Sequence, residues 1–177
     1  LARRVRTTDR TVAAAWWLGG SLVMGTGIWS MHFVGMQAFT LPITLGYTPS
    51  WTAVSWVAAL LTSAAALGIA SLGSITRWRV AIGALFMGGG ICAMHYLGML
   101  ALDMAPPIVW DPWWVLLSAV VAVAASAAAL VLFFVLRPYK GARGQFYQLL
   151  AALAMGLAIA GMHYTGMAAA RFPAGSI

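Results

Sequence analysis

The chain has 177 residues, 63% of them hydrophobic and only 7% charged, with a net charge of +7. A soluble domain carries about 25% charged residues, so this chain cannot cover a water-facing surface, and lipid must solvate much of it. The basic residues cluster at segment ends rather than along a stripe, which excludes a nucleic-acid surface and reads as a membrane-topology signal.

In chain order, residues 1–10 form a polar flank with Arg3, Arg4, Arg6, Asp9 and Arg10, and no signal-peptide cleavage pattern is visible in it. A first span runs from near Thr11 towards Thr40 and stops ahead of Pro42, which disfavours helix in the residue before it. Residues 41–47 read as a loop. Thr48-Pro49 then supplies an N-cap and a first-turn proline, and a second span runs to about Ser74. Arg77 and Arg79 mark the next membrane edge. A third span covers 78–102, residues 103–110 form a proline-containing loop, and Asp111-Pro112 repeats the capped start of a fourth span ending near Leu136. Arg137, Pro138, Lys140, Gly141 and Arg143 make a basic turn. A fifth span covers 144–170, and residues 171–177 read as loop. Each span reaches the roughly 20 residues that cross a bilayer. The predicted fold is therefore an all-α, polytopic bundle of five transmembrane helices, forming one membrane-embedded domain over residues 1–177.

Three stretches within these spans repeat one pattern. They read Met31-His32-Phe33-Val34-Gly35-Met36, Met94-His95-Tyr96-Leu97-Gly98-Met99 and Met162-His163-Tyr164-Thr165-Gly166-Met167. Counted from each His, Met stands at −8, −1 and +4, Gly at −7 and +3, an aromatic at +1 and Ala at +6. The repeats thus occupy 24–38, 87–101 and 155–169. They take all three histidines and nine of the ten methionines, leaving out Met104. A periodic signal of this kind defines the architecture. A plain helix followed by a motif helix makes one unit, so the first unit is incomplete and the first span lacks a preceding partner.

Arg3, Arg4, Arg6, Arg10, Arg77, Arg79, Arg137, Lys140 and Arg143 fall on one side and only Arg171 on the other, which places the nine in the cytoplasm. Asp103, Asp111, Trp51, Trp110, Trp113 and Trp114 then face outward, the tryptophans as an interfacial belt. From Arg79 to His95 is about 24 Å of helix and from Arg143 to His163 about 30 Å. All three histidines therefore sit near the outer boundary of a hydrocarbon core about 30 Å thick.

At 100° per residue, the +4 Met lies about 40° from the His, and the Gly at +3 and −7 about 60° and 20° away. The Met at −1 and −8 lie about 100° and 80° to the other side. The glycines let neighbouring helices come close. Three such faces turned inward bring His32, His95 and His163 to one level, with thioethers around them. Met at helical spacing usually fills gaps in a core, but packing requires apolar volume and not sulfur at all nine positions. A histidine within a membrane span points to function. Imidazole with thioether and no thiolate pair selects copper above other metals, with zinc or haem as alternatives. The candidate ligands are His32, His95 and His163 with Met31, Met36, Met94, Met99, Met162 and Met167. Asp103, Asp111, Tyr96 and Tyr164 are candidates to orient an imidazole. Catalysis finds no support. There is no phosphate loop and no nucleophile with a base, the three carboxylates Asp9, Asp103 and Asp111 all lie outside mid-membrane, and the one thiol, Cys92, stands alone. No lysine lies within a span, so a retinal Schiff base is excluded as well.

The run from Met162 to Thr165, with its degenerate copies at Met31 and Met94, resembles the MHYT domain of bacterial membrane proteins over essentially the whole chain. The resemblance implies an inner-membrane sensor whose motif His and Met chelate copper near the outer face. It also implies sensing of a diatomic gas such as O2, CO or NO, or of redox state, for a cytoplasmic cyclic-di-GMP module outside this chain. The family's domain has a helix ahead of the first motif helix, and that helix is missing here. Copper transport or storage and a haem-bearing redox protein are the alternative readings.

Overall fold

The computed structural model describes residues 5, 9–38, 46–72 and 76–173. Five helices form, α1 (Arg10–Gln37), α2 (Pro49–Ala70), α3 (Arg77–Leu100), α4 (Pro112–Leu136) and α5 (Gly141–Ala168). All five are long and apolar enough to cross a membrane, and the chain is a multi-pass, all-α membrane protein. Arg3, Arg4, Arg6, Thr40, Pro42, Ser74 and the last four residues lie outside the described residues.

Local chemistry fixes the helix starts. The Asp9 carboxylate accepts from the amides of Thr11 and Val12 at 2.9 and 3.2 Å, and the Asp111 carboxylate from Trp113 at 3.0 Å. The Thr76 hydroxyl accepts from Arg79 at 3.3 Å. These bonds satisfy amides that a helix leaves open. Pro49 and Pro112 occupy the first helical position, as expected. The fifth helix begins three residues earlier than the sequence suggests, because Gly141 takes a φ of +67° that turns the chain into it.

The motif helices all end at the same repeat position. Ala38, Ala101 and Ala169, the +6 alanines, are their C-caps, so each helix ends two or three residues before the span read from the sequence. The segments read as plain loops need correction here. Gly46–Tyr47 (β1) pairs antiparallel with Leu102–Asp103 (β2), and Val109–Trp110 (β3) with Ala170–Arg171 (β4). The Ala101 carbonyl accepts from the Thr48 amide at 2.7 Å, and the Ala169 carbonyl from the Asp111 amide at 2.9 Å. The strand before each plain helix is thereby stapled to the strand after the next motif helix. This closes α2–α3 and α4–α5 as the two complete units.

Consecutive helices pack on one another, and α1, α3 and α5 also meet near the bundle axis. The plain helices carry their own repeat, at the same 63-residue offset that separates His32 from His95. Ser55, Ala59, Ser63 and Leu67 on α2 match Ser118, Ala122, Ser126 and Leu130 on α4, and all eight are buried. Small residues along this stripe let the motif helices approach closely. A Cβ on Gly25 would strike the backbone of Ala59 and Leu60, and one on Gly88 the backbone of Val123. Gly156, the equivalent glycine of α5, faces nothing within 4 Å among the described residues. Charges separate to the two ends of the bundle. Arg137 donates to the Leu72 carbonyl at 3.0 Å at one end, and Arg171 pairs with Asp111 at 2.6 Å at the other.

Candidate metal centre

Each motif helix places its histidine six residues before its C-cap, so three helices ending at one level bring the three imidazoles to one level. His32, His95 and His163 are buried, at 0, 0 and 1% exposure. Their ring centroids form a near-equilateral triangle with sides of 5.0, 5.1 and 5.1 Å, every pair edge-on. The Nδ1 of His32 lies 3.1 Å from that of His163 and 3.2 Å from that of His95. Among the described residues, these three form the group of His, Cys, Asp and Glu side chains able to hold a metal. The +1 aromatics brace the rings from the side. Phe33, Tyr96 and Tyr164 each stack edge-on against their own histidine at 4.9, 4.9 and 5.1 Å.

The +3 glycines do more than admit a neighbouring helix. A Cβ on Gly98 would fall on Nε2 of His32, one on Gly166 on Nε2 of His95, and one on Gly35 at 2.6 Å from Nε2 of His163. The contacts run in a cycle: the histidine of α1 sits on the glycine of α3, that of α3 on α5, and that of α5 on α1. Each imidazole is wedged with Nε2 against a backbone and Nδ1 towards the axis.

This arrangement leaves an electrostatic problem that a cation solves. A neutral imidazole has one N–H and one lone pair. The Nδ1 of His32 faces two other Nδ1 atoms, so its single proton or single lone pair must serve both contacts. The three Nε2 atoms have no hydrogen-bond partner either, an omission that buried polar groups rarely show. An ion on the axis receives three lone pairs at once and removes the conflict. Two nitrogens bound at about 2 Å to one ion lie at most about 4 Å apart, and the two separations made by His32 satisfy that limit.

The methionines occupy distinct places. Met36, Met99 and Met167, all at +4, form one buried cluster with Leu102, and Tyr47, Met104, Ile108, Trp110, Ala170 and Phe172 pack against it. This cluster lies about 6 Å along the helices from the histidines and covers their outer end. Met104, outside the repeat, joins the lid. At −1, Met162 is buried against Ile91 and Ala122, Met94 is buried, and Met31 is half-buried. The −8 residues Met24, Met87 and Met155 border a cavity on the opposite side of the triad.

The candidate orienting groups have other partners. Asp111 caps α4 and pairs with Arg171, Asp103 is exposed beside Gly46, and Tyr164 is largely exposed. The Tyr96 hydroxyl shares a 2.7 Å hydrogen bond with Ser118. Trp110, read as part of an interfacial belt, instead packs on Tyr96 at 5.1 Å and on the methionine lid. The wedge glycines were legible as motif positions, but their pairing with particular histidines was not.

A family model described as "MHYT: Bacterial signalling protein N terminal repeat" matches residues 25–83, 88–143 and 156–177. The chain is 52% identical over 176 residues to the bifunctional diguanylate cyclase/cyclic di-GMP phosphodiesterase MucR of Pseudomonas aeruginosa, covering 99% of this chain and 26% of that protein. It is 38% identical over 175 residues to the signaling protein YkoW of Bacillus subtilis, covering 97% and 22%. It is 36% identical over 154 residues to the cyclic di-GMP phosphodiesterase NbdA of P. aeruginosa, covering 87% and 20%. The chain thus spans about a quarter or less of the length of these curated relatives. No solved structure matches it.

Proposed function

We propose that this chain, which belongs to the MHYT family, is a membrane sensor domain that holds copper between His32, His95 and His163 and reports a diatomic gas or redox state to a cytoplasmic cyclic-di-GMP module. The convergence of three buried Nδ1 atoms at 3.1 and 3.2 Å carries this reading. Two relatives are named for cyclic-di-GMP enzymes, and the chain covers only a fraction of their length. That supports an output module outside this chain and a non-enzymatic role for the 1–177 region as one domain.

Copper, when bound, supplies an ion that takes either oxidation state and accepts small neutral ligands. The chain's own residues do the rest. The three imidazoles offer neutral nitrogen. The lid of Met36, Met99 and Met167 keeps water off the triad and surrounds it with soft sulfur, which favours the reduced ion. Met31, Met94 and Met162 stand beside each histidine as further candidate donors. Imidazoles packed about 5 Å apart and wedged on glycine backbone leave no slot for a haem macrocycle, and the thioethers argue for copper over zinc. The ligands come from three separate helices, so any change at the triad is felt by α1, α3 and α5 together.

Metal analysis of protein purified without a polyhistidine tag tests the centre. At least one copper per chain is expected, and a chain free of transition metal after copper loading overturns it. The proposed orientation puts Arg10, Arg77, Arg79, Arg137, Lys140 and Arg143 in the cytoplasm of a bacterial inner-membrane protein. Single cysteines at Ser50 and Ala142 in a Cys92→Ala background should then label from opposite sides, and labelling of both from one side refutes the orientation.

A further inference from the structure

Below the triad the bundle opens into a cavity of about 500 Å3 bordered by all five helices. Met24, Met87 and Met155 border it, lying 14, 10 and 14 residues into their helices. Each is eight residues before its histidine, or about 12 Å along the helix. At the other end of the cavity stand Arg137 and, between the two levels, Gln148. The Arg137 guanidinium bonds the Leu72 carbonyl and lies 5.8 Å over the Phe134 ring, which keeps it at the rim and away from the sulfurs.

Methionine in a membrane core ordinarily fills irregular gaps. That explanation is incomplete for these three residues, because they border a cavity of about 500 Å3 instead of filling it. Leucine would line such a void equally well, yet all three repeats place sulfur there. Three thioethers on three flexible side chains, delivered to one cavity by three equivalent helices, are a donor set suited to a soft monovalent cation. Among the described residues of the lining, hard cations find no carboxylate or imidazole.

We propose that Met24, Met87 and Met155 form a second, all-thioether site for copper(I) or silver(I) at the deep end of this cavity, separate from the histidine triad. The cavity gives the site an approach from the end of the bundle that carries Arg137, so the two sites are reached from opposite ends.

Silver(I) titration of the purified chain, with X-ray absorption to count sulfur and nitrogen neighbours, tests this independently of the histidine site. The unaltered chain should take up two ions. The triple variant Met24→Leu, Met87→Leu, Met155→Leu should take up one fewer, with the loss confined to sulfur neighbours. Each single Met→Leu variant should weaken one of the two equivalents at least tenfold and leave the other unchanged, which decides the matter if the triple variant does not fold. His95→Ala should remove the nitrogen-bound ion and keep the sulfur-bound one. Two ions retained in the triple variant, or single variants without effect, overturn the thioether site and leave the histidine site standing. One ion that survives His95→Ala but not the methionine changes establishes the thioether site and overturns the histidine site.

Discussion

The two halves of the bundle are built from the same helices and packed in opposite ways. In the half that holds the histidines, glycine backbone meets imidazole, the methionine lid is closed, and short strands tie the helix ends together. In the opposite half, the helices part around a cavity of about 500 Å3. The difference follows the repeat. Between the histidine and the +6 alanine, all three copies agree at five positions. Over the eight positions before the histidine four recur, Met at −8 and −1, Gly at −7 and Ile at −4. The −7 glycines diverge in use, since Gly25 and Gly88 back onto a plain helix and Gly156 does not. Tight packing occurs where a backbone must approach a side chain, and a repeat tolerates no variation there.

The largest test of this contrast is removal of a histidine. His163→Ala should lower copper affinity by more than about 100-fold, because even changes to residues behind the ligands cost 10- to 100-fold. Retention of full copper binding would detach the triad from metal altogether.

Glycine substitutions sharpen the contrast between halves. Gly98→Ala drives a Cβ into the His32 ring and should cost about 1–3 kcal/mol of stability through overpacking, with reduced copper uptake. Gly156→Ala should leave copper binding unchanged and raise helix stability by up to about 1 kcal/mol. Thermal unfolding in detergent reads both, and equal effects at the two sites would show that the halves are packed alike.

The smallest effect belongs to the lid. Met167→Leu should preserve the fold, since such swaps cost under about 1.5 kcal/mol, while weakening copper(I) binding or shifting the copper potential. A variant silent in both measurements would make the lid a packing element only.

Much of this molecule can be read from its residues, for identifiable reasons. The helix starts at Thr48-Pro49 and Asp111-Pro112 are visible because caps and prolines act locally. The meeting of His32, His95 and His163 is visible because three equal motifs at equal depth must converge if they face inward. The cyclic pairing is not, because Gly98 stands at the same offset from its histidine as Gly35 and Gly166, so sequence offers no way to choose partners. The two-residue strands lack enough length to show alternation. Met162 is a candidate ligand by its place beside His163, yet at about 100° from it its side chain turns to Ile91 and Ala122. The serine stripe of α2 and α4 was available at the 63-residue offset, but it is hidden by the commonness of Ser and Ala.

The strand staples also fix where the molecule can bend. They lie at the same end as the histidines and join α2 to α3 and α4 to α5, so that end acts as a fulcrum. From His163 to Gly141 is 22 residues, an arm of about 33 Å, and from His32 to Arg10 the arm is equally long. A tilt of about 5° at the fulcrum carries the far end of such an arm about 3 Å. A 5° tilt of that kind would therefore appear at the basic end of the bundle as a shift comparable to a hydrogen-bond length.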